Sequence, residues 1–161
     1  MPTVEAYDPT TDTWTKKAEL PNPRHGLATS AVEGKIYAIG GFDGTNHATV
    51  AMYDPTTDTW TPKANLPTVR SHVCTGVVNR KIYAIGGWDG VPEDDVHKAF
   101  TVVEVYDPAT NRWTKKADMP TPRWSCAAGV ANGKIYVIGG TTITGHEYAP
   151  LTHCHRPHRY P

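Results

Sequence analysis

One nine-residue segment of this chain recurs twice, once unchanged and once with three substitutions. Tyr7-Asp8-Pro9-Thr10-Thr11-Asp12-Thr13-Trp14-Thr15 recurs residue for residue at Tyr53 to Thr61, and again as Tyr106-Asp107-Pro108-Ala109-Thr110-Asn111-Arg112-Trp113-Thr114. A periodic chain builds its core by stacking copies of one unit, so the repeat constrains the architecture before any local propensity is weighed.

Other landmarks keep the same step. Ile36-Tyr37-Ala38-Ile39-Gly40-Gly41 returns at Ile82 to Gly87 and as Ile135-Tyr136-Val137-Ile138-Gly139-Gly140, and Arg24, Arg70 and Arg123 open the segment before each. Tyr7, Trp14, Arg24 and Gly40 move by 46 residues to their second copies and by 53 more to their third. The seven extra residues fall between Gly87 and Tyr106, around Val91-Pro92-Glu93-Asp94-Asp95-Val96-His97-Lys98.

Within a repeat the pattern reads strand, turn, strand, with no room for a helix. Ile36 to Ile39 is apolar on both alternating faces, as in a strand covered on both sides, and the diglycine ends it. Val50-Ala51-Met52-Tyr53 reads as the next strand, and Asp54-Pro55-Thr56-Thr57-Asp58 is turn chemistry ahead of Thr59-Trp60-Thr61. After each arginine comes a run of small residues: Ala28-Thr29-Ser30-Ala31, Cys74-Thr75-Gly76-Val77 and Ala127-Ala128-Gly129-Val130. Small side chains suit the innermost strand of a radial array, where neighbouring sheets converge on an axis.

Together these residues resemble the kelch repeat. An arginine before a small-residue strand, Ile-Tyr-x-Ile-Gly-Gly, Tyr-Asp-Pro and a tryptophan about seven residues later are landmarks of that family, in its order and near its period of about 50 residues. The resemblance covers roughly residues 3–140. It implies an all-β fold of kelch-type β-propeller blades, each of four antiparallel strands, with the small-residue strand innermost and the tryptophan strand outermost.

On that mapping residues 1–140 are the repeat domain. Residues 3–20 supply an outer half-blade, 24–66 and 70–119 two blades, and 123–140 an inner half-blade, leaving 141–161 as an irregular His- and Pro-rich tail. Kelch propellers resemble closed rings of roughly six or seven blades, so one chain carries an incomplete ring. Two expectations follow. Complementary half-blades favour a head-to-tail homodimer closing a six-bladed ring. The tail favours a piece of a longer protein, because His146-Glu147-Tyr148-Ala149-Pro150 comes four residues early and no tryptophan follows. The longer protein is the leading expectation.

Composition sets bounds. Sixteen basic and sixteen acidic residues leave no net charge, so the electrostatic footprint of a nucleic-acid binder is missing. No stretch is long and apolar enough to cross a membrane, and Met1-Pro2-Thr3-Val4-Glu5 does not read as a signal peptide. Neither nucleic acid nor membrane is an expected partner, and the compartment is undetermined.

Chemistry-bearing motifs are few. The chain has no Gly-x-Ser-x-Gly, no phosphate-cradling loop and no His-Glu-x-x-His. Asp8, Asp54 and Asp107 each precede proline and read as turn formers. No Cys-x-x-Cys occurs, and Cys74 and Cys126, one aligned position apart in equivalent strands, read as small buried hydrophobes. His153-Cys154-His155-Arg156-Pro157-His158 carries zinc- or copper-type donors, yet it stands in a proline-rich terminus without the repeat pattern. No catalytic residue, metal or cofactor is expected.

Comparison of the copies points to a site. Positions shared by all copies, such as Trp14, Trp60 and Trp113, serve the scaffold; positions that differ on a common surface serve recognition. Trp88 aligns with Phe42 and Thr141, and Trp124 with His25 and Ser71. Strand direction brings the loop after each diglycine and the segment opening with each arginine to one end of the blade. The candidate binding residues on that face are Arg24, His25, Phe42, Arg70, Ser71, His72, Trp88, Arg123 and Trp124, beside the acidic loop at Glu93-Asp94-Asp95. The arginines admit two readings: a ring that grips carboxylates of an acidic peptide or sugar acid, or structural groups bonded to a neighbouring blade's carbonyls. The resemblance implies a non-catalytic module that binds a protein or peptide partner. The alternative is an enzyme on the same scaffold, similar to the kelch-fold sialic acid mutarotases.

Overall fold

The computed structural model describes residues 1–90 and 98–142. Glu93-Asp94-Asp95 and the tail from residue 143 onward, with the His146 to Pro150 segment and the His153 to His158 cluster, lie outside the described residues. Twelve strands and no helix occur among the described residues. β1 (Val4–Asp8) and β2 (Thr13–Lys17) pair alone. β3 (Ala28–Val32), β4 (Lys35–Ile39), β5 (Val50–Asp54) and β6 (Thr59–Lys63) form one antiparallel sheet in chain order. β7 (Cys74–Val78), β8 (Lys81–Ile85), β9 (Val103–Asp107) and β10 (Arg112–Lys115) form a second. β11 (Ala127–Ala131) and β12 (Lys134–Ile138) close the series as a further pair. The fold is all-β, built of four-stranded antiparallel blades, and the ring is not closed.

The turns follow from local chemistry. The inner hairpins turn on Glu33-Gly34, Asn79-Arg80 and Asn132-Gly133, all six residues at positive φ, as a two-residue turn matched to strand twist requires. In the outer hairpins Asp8, Asp54 and Asp107 each accept a hydrogen bond from the backbone amide two residues on, at 2.8, 2.9 and 3.0 Å. These aspartates are turn formers in every copy. The last turn residue, Asp12, Asp58 or Asn111, is left-handed with φ near 54, 52 and 54°. Its side chain accepts from the hydroxyl of Tyr7, Tyr53 or Tyr106 at 2.6, 2.6 and 2.8 Å. Each of those tyrosines packs on its repeat's tryptophan with ring centroids 5.1 Å apart.

Neighbouring blades meet in three zones. At the rim, Trp60 Nε1 donates to the Ala18 carbonyl and Trp113 Nε1 to that of Ala64, both at 2.9 Å. The amides of Ala18 and Ala64 donate in return to Asp58 and Asn111 at 2.8 and 2.9 Å. In the middle lies the core of Val32, Tyr37, Ile39, Val50, Leu66, Ile82, Ala84 and Tyr106, which joins the two complete blades. Near the axis β3, β7 and β11 run side by side. A Cβ on Gly76 would stand 3.0 Å from Ile135 Cγ2, so small residues on the inner strands are a packing requirement.

The same residue types are exposed at the arc's ends. Trp14 is 67% exposed and Ile138 64%, whereas Ile39 and Ile85, at the latter's position, are 0% and 3%. Clefts of about 620 and 390 Å³ open on these flanks, the first between Tyr83, Val105 and Arg112, the second between Val4, Ile36 and Trp60. They sit where the next blade's strands would pack.

The rim joint is pH-sensitive. The Ala18 amide, followed by the Tyr53 hydroxyl, holds the Asp58 carboxyl below its ordinary value of 3.8. A depressed acid contributes stability that is full above the unfolded value and is lost as pH falls through the folded one. Asp58→Asn, which places in this blade the amide that Asn111 supplies in the next, should fold normally and flatten the loss of stability below about pH 4, as measured by urea midpoints across an acid series.

Candidate functional site

The face opposite the inner hairpins is built by one clamp used three times. Arg24 Nε donates to the Gly40 carbonyl at 2.6 Å and Arg70 Nε to that of Gly86 at 2.7 Å; Arg123 Nη1 donates to Gly139 at 3.1 Å. Both glycines of each pair have positive φ. A Cβ on Gly41 would lie 2.8 Å from Arg24 Cδ, and one on Gly87 3.1 Å from Arg70 Cδ. A Cβ on Gly40 would meet the Arg70 carbonyl at 2.6 Å, and one on Gly86 would collide with that of Arg123. The second glycine thus admits the arginine of its own blade, and the first admits the backbone of the next.

The arginines are therefore not a ring presented to a partner. Arg70 is wholly buried, and Arg24 is 6% exposed. Their carbonyl acceptors belong to their own blade, not to the neighbouring one that the sequence reading invoked. Burial pulls the Arg70 guanidinium below its ordinary value, while its bond to Glu104 opposes the shift. Arg70 Nη1 stands 2.5 Å from Glu104 Oε2, and Thr68 Oγ1 donates to Glu104 Oε1 at 2.8 Å. Ala51 occupies the matching place in the first blade, opposite Ala38 as Glu104 is opposite Ala84. Arg24 Nη2 is left without a partner among the described residues. Glu104 was missed in the sequence; the signal was Glu5 and Glu104 at one repeat position with Ala51 between them.

Each strand opening is tied to the residue after its diglycine by a short antiparallel bridge: His25 with Phe42, Ser71 with Trp88, Trp124 with Thr141. These bridges hold the divergent side chains on the face. Phe42 and Trp88 have ring centroids 5.8 Å apart, and Trp88 and Trp124 stack at 5.6 Å and 25°. His72 stands edge-on to both tryptophans, at 5.8 and 5.4 Å, and His25 lies 6.3 Å from His72. The structure thus gathers His25, Phe42, His72, Trp88 and Trp124 into one row across the blade boundaries. Ser71 is wholly buried beneath it rather than on the face, its small side chain covered by the row and its hydroxyl 3.0 Å from His72 Nδ1.

Two glycines, Gly26 and Gly90, and the side chain of Asn46 make this row fit. A Cβ on Gly26 would strike the His72 ring at 2.6 Å, and one on Gly90 would strike the Asn46 amide at the same distance. Asn46 Nδ2 donates across the boundary to the Trp88 carbonyl at 3.2 Å. His72 N donates to Gly26 O at 2.7 Å, and Ser125 N to His72 O at 3.1 Å. Burial, then the nearby His25, pulls the His72 imidazole below its ordinary value of 6.5.

Two measurements check this geometry. Gly86→Ala should lower stability by about 2–5 kcal/mol, from left-handed strain plus a backbone clash, read as a shift in urea midpoint. Burial edge-on against the indoles favours the neutral form of His72, so stability is full above pH 6.5 and is lost as pH falls through the depressed folded value. Tryptophan emission should accordingly show an acid transition with a midpoint below 6.5, absent in His72→Gln. A transition that survives that change would exclude His72 as its source.

Comparison with known proteins bears on the family and the fold. The Kelch motif family model matches residues 23–67 and 70–120. Kelch-like protein 7 of Rattus norvegicus is 51% identical over 142 residues, which are 88% of this chain and 24% of that protein. Kelch-like protein 35 of Mus musculus is 34% identical over 149 residues, 89% of this chain and 24% of that protein. The chain thus spans about a quarter of the length of these curated relatives. Among solved structures, that of YjhT superposes with a TM-score of 0.72 at 20% identity, covering 80% of this chain and 48% of that one.

Proposed function

The chain belongs to the kelch-repeat family, and from that premise we propose that its loop face is a non-catalytic surface for a protein or peptide partner, anchored by Trp88 and Trp124. The stacked pair of indoles carries this reading. Large aromatic side chains at the centre of a surface are the residues most enriched at binding hot spots. Phe42, His25 and His72 extend the row on one side. An acidic group on the partner would meet the half-exposed Arg123 before the buried Arg24 or Arg70. A sugar isomerase needs acid–base groups free to move protons, and His72, packed edge-on against the two stacked indoles, is poorly placed for that role.

Peptides selected from a random library on the intact protein test the proposal. Trp124→Ala and Trp88→Ala should each weaken the selected binders roughly 30-fold, while Trp14→Ala on the flank should leave them unchanged. Binders indifferent to both face tryptophans, or lost with Trp14, would overturn it.

For the open arc we infer completion by a second copy, head to tail. Asp12 and Trp14 hold the rim positions of Asp58 and Trp60, and Ala117 holds that of Ala18 and Ala64, so one end carries each half of the joint. Glu5 stands at the position of Glu104, and Arg123, at that of Arg70, has an unpartnered Nε among the described residues. Light scattering should give twice 17.6 kDa. Arg123→Glu and Glu5→Arg should each give monomer, and the double exchange should restore the dimer. Blades supplied in cis by a longer chain predict instead a monomer that aggregates through its flanks, and that result would reject the dimer.

A further inference from the structure

Two residues beyond His72 and Trp124, beneath the aromatic row, lie Cys74 and Cys126. Cys74 opens β7 and is buried; Cys126 stands just ahead of β11 and is partly exposed. Their Sγ atoms are 2.9 Å apart, although the residues are 52 apart in sequence. The bond from the Ser125 amide to the His72 carbonyl, 3.1 Å long, holds the two strand openings in the stagger that brings them together. The offset of one aligned position, which from sequence alone separates the cysteines, is thus the condition for their contact.

We propose that Cys74 and Cys126 form a reversible inter-blade disulfide when the protein meets a hydroperoxide. Closing 2.9 Å to the S–S length of about 2.05 Å asks for a movement of about 0.9 Å, within reach of side-chain rotation. The two sulfurs are not equivalent. The Cys74 thiol and the Arg123 guanidinium favour the thiolate of Cys126 and bring it down to about 7 against the effect of burial. The same contact, followed by burial, pushes the Cys74 thiol up. Cys126 is therefore the attacking thiolate and Cys74 the resolving thiol.

The chemistry balances. The Cys126 thiolate attacks one peroxide oxygen, the O–O bond breaks, and the sulfenic acid of Cys126 forms as hydroxide leaves and takes up the thiol's proton as water. The Cys74 sulfur then attacks the sulfenic sulfur; the S–S bond forms, the S–O bond breaks, and a second water leaves with the Cys74 proton. In sum, two thiols and one hydrogen peroxide give one disulfide and two waters, the sulfurs losing two electrons and the peroxide gaining them. A dithiol reductant reverses the step by exchange. The bond ties β11, which belongs to the end pair of strands, to the complete blade behind it. The inference is independent of what the loop face binds.

The experiment is peroxide treatment of the intact folded chain, capping of free thiols and tryptic mapping without reduction. The expected product is a linked pair of peptides, residues 71–80 and 124–134, two hydrogens lighter than their sum. The thermal midpoint should rise by on the order of 10 °C and fall back with dithiothreitol. Cys126→Ser should abolish the linked peptide and leave Cys74 unalkylated in the folded protein, whereas Cys154→Ser should leave the linkage intact. Sulfinic acid at Cys126 without linkage, a linkage carried by Cys154, or thiols unmodified under excess peroxide would each overturn the proposal.

Discussion

An arginine side chain laid across two left-handed glycines is the joint on which this arc depends. It fastens the opening of a blade's first strand to the end of its second through a carbonyl that strand geometry leaves unpaired. In the same place the first glycine admits the backbone of the next blade. The clamp tolerates variation in its outer partner: Glu104 completes it in one blade, and Ala51 leaves it incomplete in the other. In both complete blades the glycine pair does not vary, since a Cβ on Gly40 or Gly86 would meet the backbone of the next blade and one on Gly41 or Gly87 the arginine stem.

From that joint outward, each blade leans on the last by a different kind of contact. The rim uses directional hydrogen bonds from indole and amide, the middle uses tyrosine and aliphatic burial, and the axis uses close approach of small residues. A repeat protein of this kind stabilises each unit mainly through its neighbours. The exposure of Trp14 and Ile138, whose counterparts are covered, follows directly from having no neighbour among the described residues.

The aromatic row shows how far a single sequence carries. Trp88 and Trp124 stood out because they broke the repeat, and the direction of the strands assigned both to one face. Their stacking was not legible, because it is a contact between the loop after the second strand of one blade and the opening of the next. The fates of the arginines were equally hidden: a guanidinium in every copy is compatible with a surface ring or an internal clamp, and only the carbonyls within reach decide. Ser71 shares an aligned position and a backbone bridge with two residues of the row, yet its small side chain is buried beneath His72 and Trp88.

What the sequence by itself determined is periodic: the all-β class, the four strands of a blade, their turns and the residues common to every copy. Hydrophobic alternation, Asp-Pro turns and paired glycines are local, so three copies report them three times. What only the tertiary structure decided lies between blades, where the Cys74 and Cys126 sulfurs meet, His72 stands edge-on to two stacked indoles above Gly26, and Trp60 reaches Ala18. Those contacts depend on the stagger and angle between sheets, which the packing of small inner strands sets and no single repeat encodes.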